Sequence, residues 1–287
     1  MFDHIRAEAA DHSVQHMCKL LGVSRSGYYD YLARRERPAP ADDERIVARM
    51  RELQSIADGT YGKRSLHRAL KDEGETIGRR RVARLMREHG IVAVQAKLFH
   101  KTTDSNHTLG FAPNLLAQDF TTHAPDRVWV GDITYLWTAE GWAFLAVLLD
   151  LYSRRVVGWA FDEHMRAELP LRAFDRALNT RNPEPGLIHH TDRGSQYAAH
   201  DYRKRLATWS IAQSMSDAGN CYDNAVAESF FASLKKECVN RHAFATRTEA
   251  FDAIARYIDG FYNPTRRHST LGYCSPMQYE RETKRAA

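Results

Sequence analysis

Apolar positions recur at helical spacing through the first third of the chain and at strand spacing from Arg127 onward. In VQHMCKLLGVSRSGYYDYLARR (14–35), Val14, Cys18 and Leu21 lie three and four residues apart. That spacing predicts two short helices joined at Gly22, with Ser24 as a candidate N-cap for the second. The pattern suits a helix-turn-helix as well as an ordinary helical hairpin. After the break RPAPAD (37–42), three more helices are predicted over 42–57, 62–74 and 78–91. The last sets Val82, Leu85 and Met86 on one face and carries Arg79, Arg80, Arg81, Arg84 and Arg87. Such a helix suits a DNA-facing element or a solvated charged face. Residues 93–123 show weak periodicity and read as a linker.

From Arg127 the character changes. RVWVGDITYLW (127–137), WAFLAVLLDLYS (142–153) and RRVVGWAFD (154–162) are β-rich runs joined by short turns, which predicts an antiparallel meander. A helix over 169–181, a strand over 187–191, a helix over 198–208, a strand near 211–216 and a helix from about Ala225 follow. Three antiparallel strands and then alternating helices and strands predict an α/β fold with a mixed five-stranded sheet and flanking helices, preceded by small all-α modules. The expected division is a helix-turn-helix-like segment over 1–40, a basic three-helix module over 41–95, a linker over 96–123 and the α/β domain with a basic C-terminal segment over 124–287.

Composition narrows the class. With 43% hydrophobic and 27% charged residues the chain suits a globular protein rather than a disordered one. The longest apolar run, at 142–152, is too short to span a bilayer, and the N-terminus has no signal-peptide pattern. We therefore expect a cytoplasmic protein. Four scattered cysteines form no CxxC pair, which argues against a disulfide framework, and His12, His16 and Cys18 lack the partner that a zinc site needs. The net charge of +5 is unevenly spread: +4 over residues 1–123, −3 over 124–228 and +4 over 229–287. An acidic middle between basic arms suits a metal-holding centre with polyanion contacts on either side.

Three carboxylates stand out by position. Asp132 is mid-strand among apolar neighbours, where a free charge is costly. Asp192 ends a strand in HTDRGSQY, where it could cap the next helix or hold a metal. Glu228 lies about one turn into a helix that Asp223 or Asn224 could cap. Strand ends and an adjacent helix converge in one crevice of an open α/β sheet. Carboxylates gathered there repel one another unless a cation neutralises them, and hard oxygen donors favour Mg²⁺ or Mn²⁺. Asp150 and Asp162 compete for the same role.

The motifs WVGDITYLWTAEGWAFLAVLLDLYSRRVVGWAF, HTDRGSQY and SDAGNCYDNAVAESFFASLKKE resemble the catalytic core of DDE insertion-sequence transposases, specifically the OrfB subunit of elements that encode OrfA and OrfB in overlapping frames. Between Asp192 and Glu228 lie 35 residues, the DD35E spacing of that family. The resemblance extends to CKLLGVSRSGYYDYLARR, YGKRSLHRAL, RRRVARLMREHGI and FYNPTRRHSTLGYCSPMQYE, and so covers nearly the whole chain. The linker AVQAKLFHKTTDSNH departs in having few basic residues.

The resemblance implies an RNase H-like fold similar to retroviral integrase. It implies a polynucleotidyl transferase in which Asp132, Asp192 and Glu228 hold two Mg²⁺ or Mn²⁺ ions. The element end would be cut first, and the exposed 3′-OH would then attack a second phosphodiester without a covalent enzyme intermediate. Lys235, seven positions after the glutamate, would meet a phosphate near the scissile bond. Arg193, Gln196, Arg79, Arg80, Arg81, Arg84 and the cluster Arg266, Arg267 and His268 are further candidate DNA contacts. Implied partners are the terminal inverted repeats, target DNA, an OrfA portion or OrfAB fusion, and further copies of the chain. The competing readings are an RNase H-like nuclease that does not join, and an inactive DNA-binding remnant.

Overall fold

The computed structural model describes residues 1–36, 42–94, 110–117, 119, 121–217 and 224–286. The linker motif AVQAKLFHKTTDSNH falls almost wholly outside these residues. The chain divides into two compact units, Met1–Arg51 and Glu52–Ala287. The boundary between them lies inside a helix.

The first unit holds α1 (Phe2–Ala7), α2 (Val14–Leu20), α3 (Arg25–Glu36) and most of α4 (Asp43–Ile56). Ile5, Met17, Cys18 and Tyr28 are buried together, with Phe2, Val14 and Leu21 against them. Gly22 takes φ +65° between α2 and α3, a conformation that costs other residues far more. The Ser24 hydroxyl accepts from the Gly27 backbone N–H at 3.0 Å, as an N-cap should. Cys18 is therefore core. Among the described residues, no three or more His, Cys, Asp or Glu side chains are gathered closely enough to ligate an ion as they stand.

In the second unit, α5 (Lys63–Asp72) and α6 (Arg79–Glu88) bury Leu66, Ala69, Leu70, Val82 and Leu85. Arg79, Arg80 and Arg87 face solvent, whereas Arg81 and Arg84 are half-buried and Arg84 pairs with Glu88 at 2.7 Å. The sheet has the order β3-β2-β1-β4-β5. Its strands are β1 (Val128–Thr138), β2 (Gly141–Asp150), β3 (Val156–Asp162), β4 (Ile188–Thr191) and β5 (Ala212–Met215). The first three form the expected antiparallel meander, while β4 runs parallel to β1, and β5 to β4. Gly141 at φ +108° closes the β1–β2 turn.

Helices cover both faces. On one, Trp129, Ala146 and Leu148 pack against α7 (Glu168–Arg181) and α9 (His200–Thr208), with the short α8 (Ser195–Ala198) beside them. On the other, Val128, Val130, Leu136, Leu145 and Val147 pack against α10 (Ala225–Glu237) and α11 (Arg247–Ala255). Alternation along β1 and β2 thus serves two cores at once, as period-2 side chains require. A π-helical turn over Arg256–Tyr262 and α12 (Pro276–Ala286) complete the chain.

Gly158 lets α7 approach β3. A Cβ there would stand 2.8 Å from the Ala177 Cβ and 2.9 Å from its backbone nitrogen. Gly158→Ala is expected to lower stability by about 1–3 kcal/mol through overpacking, read from chemical denaturation midpoints.

Candidate active site

Strand pairing brings two of the acids together. Gly131 of β1 pairs with Thr191 of β4 in parallel register, so Asp132 and Asp192 occupy the next position along adjacent strands. This is the carboxyl end of the parallel pair, where α/β sheets bind ligands. Asp132 also pairs with Val147 across β2, on the face that α10 covers. Burial pushes its carboxyl well above the usual range, and the charges of Asp192 and Glu228 push the same way. The Ile133 backbone N–H, donating to Asp132 Oδ1 at 2.7 Å, and the Lys235 ammonium oppose this.

Asp192 Oδ1 accepts from the Gly194 backbone N–H at 2.9 Å, which turns the chain into α8. Gly194 has φ −60°, so its lack of a side chain matters for space rather than for handedness. A Cβ would lie 3.0 Å from both Asp192 Oδ1 and Gln196 Oε1. Asp192 therefore shapes the turn and still sits beside Asp132.

Glu228 is exposed in the first turn of α10. Lys235 follows seven residues later on the same face and is half-buried, its ammonium 5.1 Å from the Tyr135 ring centroid. Burial lowers its pKa and Asp132 raises it. The expected cap of α10 differs: Asn224 occupies the N-cap position with no side-chain cap bond, and its Oδ1 is buried with no hydrogen-bond partner among the described residues. Asp223 and Asn220 lie outside the described residues.

The donor set fits a hard divalent cation. It consists of carboxylate oxygens only, and one of them is a half-buried group opposed by two acidic neighbours.

The competing acids are engaged elsewhere. Asp150 is fully buried and accepts from the Asp126 and Tyr152 backbone N–H groups at 2.8 and 2.7 Å. Asp162 pairs with Arg172. Both histidines of strand β4 are buried and hydrogen-bonded within the protein. His189 Nδ1 lies 3.3 Å from the Trp129 carbonyl and Nε2 lies 2.8 Å from the Tyr202 hydroxyl; burial brings its pKa down to about 3. Gly131 leaves room for that ring, since a Cβ would stand 2.8 Å from His189 Cε1. His190 Nδ1 is 2.8 Å from the Ser214 hydroxyl.

The other basic candidates divide by surroundings. Arg193 donates from Nε to the Ser216 carbonyl at 2.6 Å and lies 4.7 Å over the Phe111 ring. Gln196 donates to the Met165 carbonyl at 3.1 Å. Arg266 forks onto Glu237 with two 2.7 Å bonds and reaches the Ser233 hydroxyl at 3.1 Å. Arg267 donates to Asp72 at 2.5 Å. Burial, followed by the charges of Arg266 and Arg154, lowers the pKa of His268 to about 3. This trio knits the C-terminal segment to α10 and α5, with Tyr61 donating to the Thr265 carbonyl at 3.2 Å nearby. Tyr197, which sequence reading passed over, is buried close enough to Asp132 and Asp192 for both charges to raise its pKa after burial and Tyr202 do so. Its only sequence signal is its place in HTDRGSQY.

A mixed sheet with one acid in the middle of β1 and another just past the end of neighbouring β4, and a helix carrying Glu228 and Lys235 above them, defines an RNase H-like core built for phosphodiester chemistry. Two integrase core domain models match residues 122–221 and 209–276, and an HTH-like domain model matches 41–98. The chain is 44% identical to an insertion element IS600 31 kDa protein of Shigella sonnei, over 92% of this chain and 97% of that one. It is 39% identical to transposase InsF for insertion sequence IS3A of Escherichia coli (strain K12), over 96% of both. Among solved structures, the HTLV-2 integrase catalytic core domain in complex with magnesium matches with TM-score 0.42 and 16% identity, over 54% of this chain and 97% of that one.

The chain belongs to the insertion-sequence transposases of the IS3 InsF type, the OrfB class of DDE transposase with an integrase core. It is thus a DNA-binding polynucleotidyl transferase, and cores of this type depend on divalent metal. Among the described residues no helix is long and apolar enough to cross a membrane.

Proposed function

We propose that Asp132, Asp192 and Glu228 hold a pair of Mg²⁺ or Mn²⁺ ions and that the chain cuts the ends of its element and joins the resulting 3′-OH to target DNA. The observation that carries this is the parallel register Gly131–Thr191, which aligns two acids on adjacent strands beneath the helix bearing Glu228. Bound divalent ions supply charge neutralisation at the phosphorus and a more acidic attacking hydroxyl.

The chain's own residues do the rest. Asp132 is fixed by a central strand and by the Ile133 N–H. Asp192 is fixed by the Gly194 turn. Glu228 is exposed on the first helical turn and closes the set by side-chain rotation when the charge is neutralised. Lys235, whose ammonium is partly desolvated beside Tyr135, binds a phosphate next to the scissile one. Arg79 and Arg80, with Arg81 and Arg84 on the same helix, track the DNA backbone, whereas Arg193 and Gln196 support the turn that carries Asp192. An OrfA portion and further copies of the chain complete the assembly on DNA.

The test uses purified protein, labelled duplexes from the element's ends and Mg²⁺. Joined product supports this reading. Nicking without joining points to a nuclease, and end binding without metal-dependent product points to an inactive binder. Lys235→Ala is expected to weaken DNA binding similarly across sequences and to reduce the slope of log K against log salt by about 1, measured by anisotropy over a salt series.

A further inference from the structure

The β1–β2 hairpin carries a row of aromatic rings that the metal site does not use. Trp137 and Trp142 face each other across the hairpin, 59% and 50% exposed, with ring centroids 4.9 Å apart. Tyr135 stands edge-on to Trp142 at 5.1 Å, and the Lys235 ammonium lies 5.1 Å from the Tyr135 centroid. The row therefore starts beside the residue that meets the scissile region and runs outward along the strand. Tyr135 is three positions past Asp132, about 10 Å of strand, and so projects from the opposite face of β1, with its ring centroid still 5.1 Å from the Lys235 ammonium.

Two exposed tryptophans at a hairpin end are costly to leave in water unless something covers them. The hairpin is also held firmly. The Thr138 hydroxyl donates to the Gly141 carbonyl at 2.8 Å, the Ala139 N–H donates to the Phe244 carbonyl at 3.0 Å, and Glu140 accepts from the Arg247 N–H at 2.8 Å. Arg247 further donates to the Trp142 carbonyl at 3.4 Å and pairs with Glu163 at 2.9 Å, which ties down the base of the hairpin. Among the described residues β4 pairs with β1 only as far as Gly131, so the β1 edge at Tyr135 has no strand beside it on that side.

We propose that Tyr135, Trp142 and Trp137 form a stacking platform for unpaired bases of the DNA strand being processed, within a few nucleotides of the scissile phosphodiester. Rigid half-exposed rings with the Lys235 ammonium at one end match the chemistry of single-stranded nucleic acid. The cation meets the backbone, and the π-faces accept any base. The same charge favours a polyanion over an apolar protein surface. The platform rests on the transposase reading for its position but not for its binding, so the two can be tested apart.

The experiment uses the full-length chain in chelator with duplexes that end in a short unpaired extension containing 2-aminopurine. Wild type should quench the probe on binding. Trp137→Ala and Trp142→Ala should bind this DNA roughly tenfold more weakly and lose most of the quenching. Both should bind a fully paired duplex as wild type does, and Trp137→Phe and Trp142→Phe should restore binding and quenching. A platform is ruled out if the alanine variants quench and bind as wild type. It is ruled out too if they change only the sedimentation of the protein, which would make the rings an interface between chains. Asp132→Asn should quench fully in chelator and, when Mg²⁺ is added in a parallel assay, fail to cut where wild type cuts, which separates a failure of the platform from a failure of the metal site.

Discussion

Asp132→Asn and Glu228→Gln are each expected to reduce both end cleavage and joining by roughly three orders of magnitude or more, while DNA binding persists. On the proposed assignment, each removes one oxygen donor of a set that acts as a unit. The double variant should therefore be hardly slower than either single one. Gel assays of nicked and joined products, paired with anisotropy for binding, measure the two effects separately. Asp132→Asn carries a second expectation, because desolvation and two acidic neighbours oppose the charge of its half-buried carboxyl. In chelating buffer the variant should melt above wild type. Wild type should gain stability from added Mn²⁺ and the variant should not, as follows when an ion binds only the folded site. Loss of DNA binding together with activity would instead mean that the acids support the fold.

Glu280→Ala should be the most destabilising single change outside the core. Glu280 of α12 accepts from Arg155 at 2.8 Å, from Arg181 at 2.9 Å and from the Ser153 hydroxyl at 2.8 Å. Arg181 also grips Asp126 at 2.8 Å and approaches Asp150 at 3.5 Å, and its side chain is only 9% exposed. Removing the glutamate leaves two guanidinium groups short of an acceptor, one of them buried. Breaking such a pair costs about 3–5 kcal/mol. At about 2–4 °C per kcal/mol, that lowers the melting temperature by roughly 10 °C.

The effect should depend on pH in a definite direction. Burial pushes the Glu280 carboxyl up, but hydrogen bonds and charge from Arg181 and Arg155 outweigh burial and hold it below its ordinary 4.5. A depressed folded value means that the stabilisation is fully present above the unfolded value and is lost as pH falls through the folded one. The gap between wild type and variant should thus be constant near neutrality and close below about pH 4.5. A gap that is unchanged at low pH would assign Glu280 to packing rather than to charge.

Much of the catalytic half is legible in sequence for local reasons. Strand alternation, the TAEG turn and the Leu169–Arg181 helix depend on neighbours within a few residues, and each is found within two or three positions of its expected place. Asp132 and Asp192 stand out because a carboxylate in or at the end of an apolar strand demands an explanation. What stayed hidden depends on distance along the chain. Arg266, Arg267 and His268 read as a basic surface, but their partners Glu237 and Asp72 lie 29 and 195 residues away. The helices α11 and α12 and the π-helical turn between them sit in a stretch whose apolar residues, such as Tyr257, Ile258 and Tyr262, pack on a core made elsewhere. The aromatic row escaped notice because Trp137 and Trp142 become neighbours only through the Thr138–Gly141 turn.

The central claim is that three acids from two adjacent strands and one helix share divalent ions. A crystal of the full chain soaked in Mn²⁺, with anomalous difference density recorded at the manganese edge, tests it most directly. The account predicts peaks bridging Asp132 and Asp192, with Glu228 turned inward to reach one of them. Absence of density there, or ions bound with Glu228 still facing solvent, would contradict it.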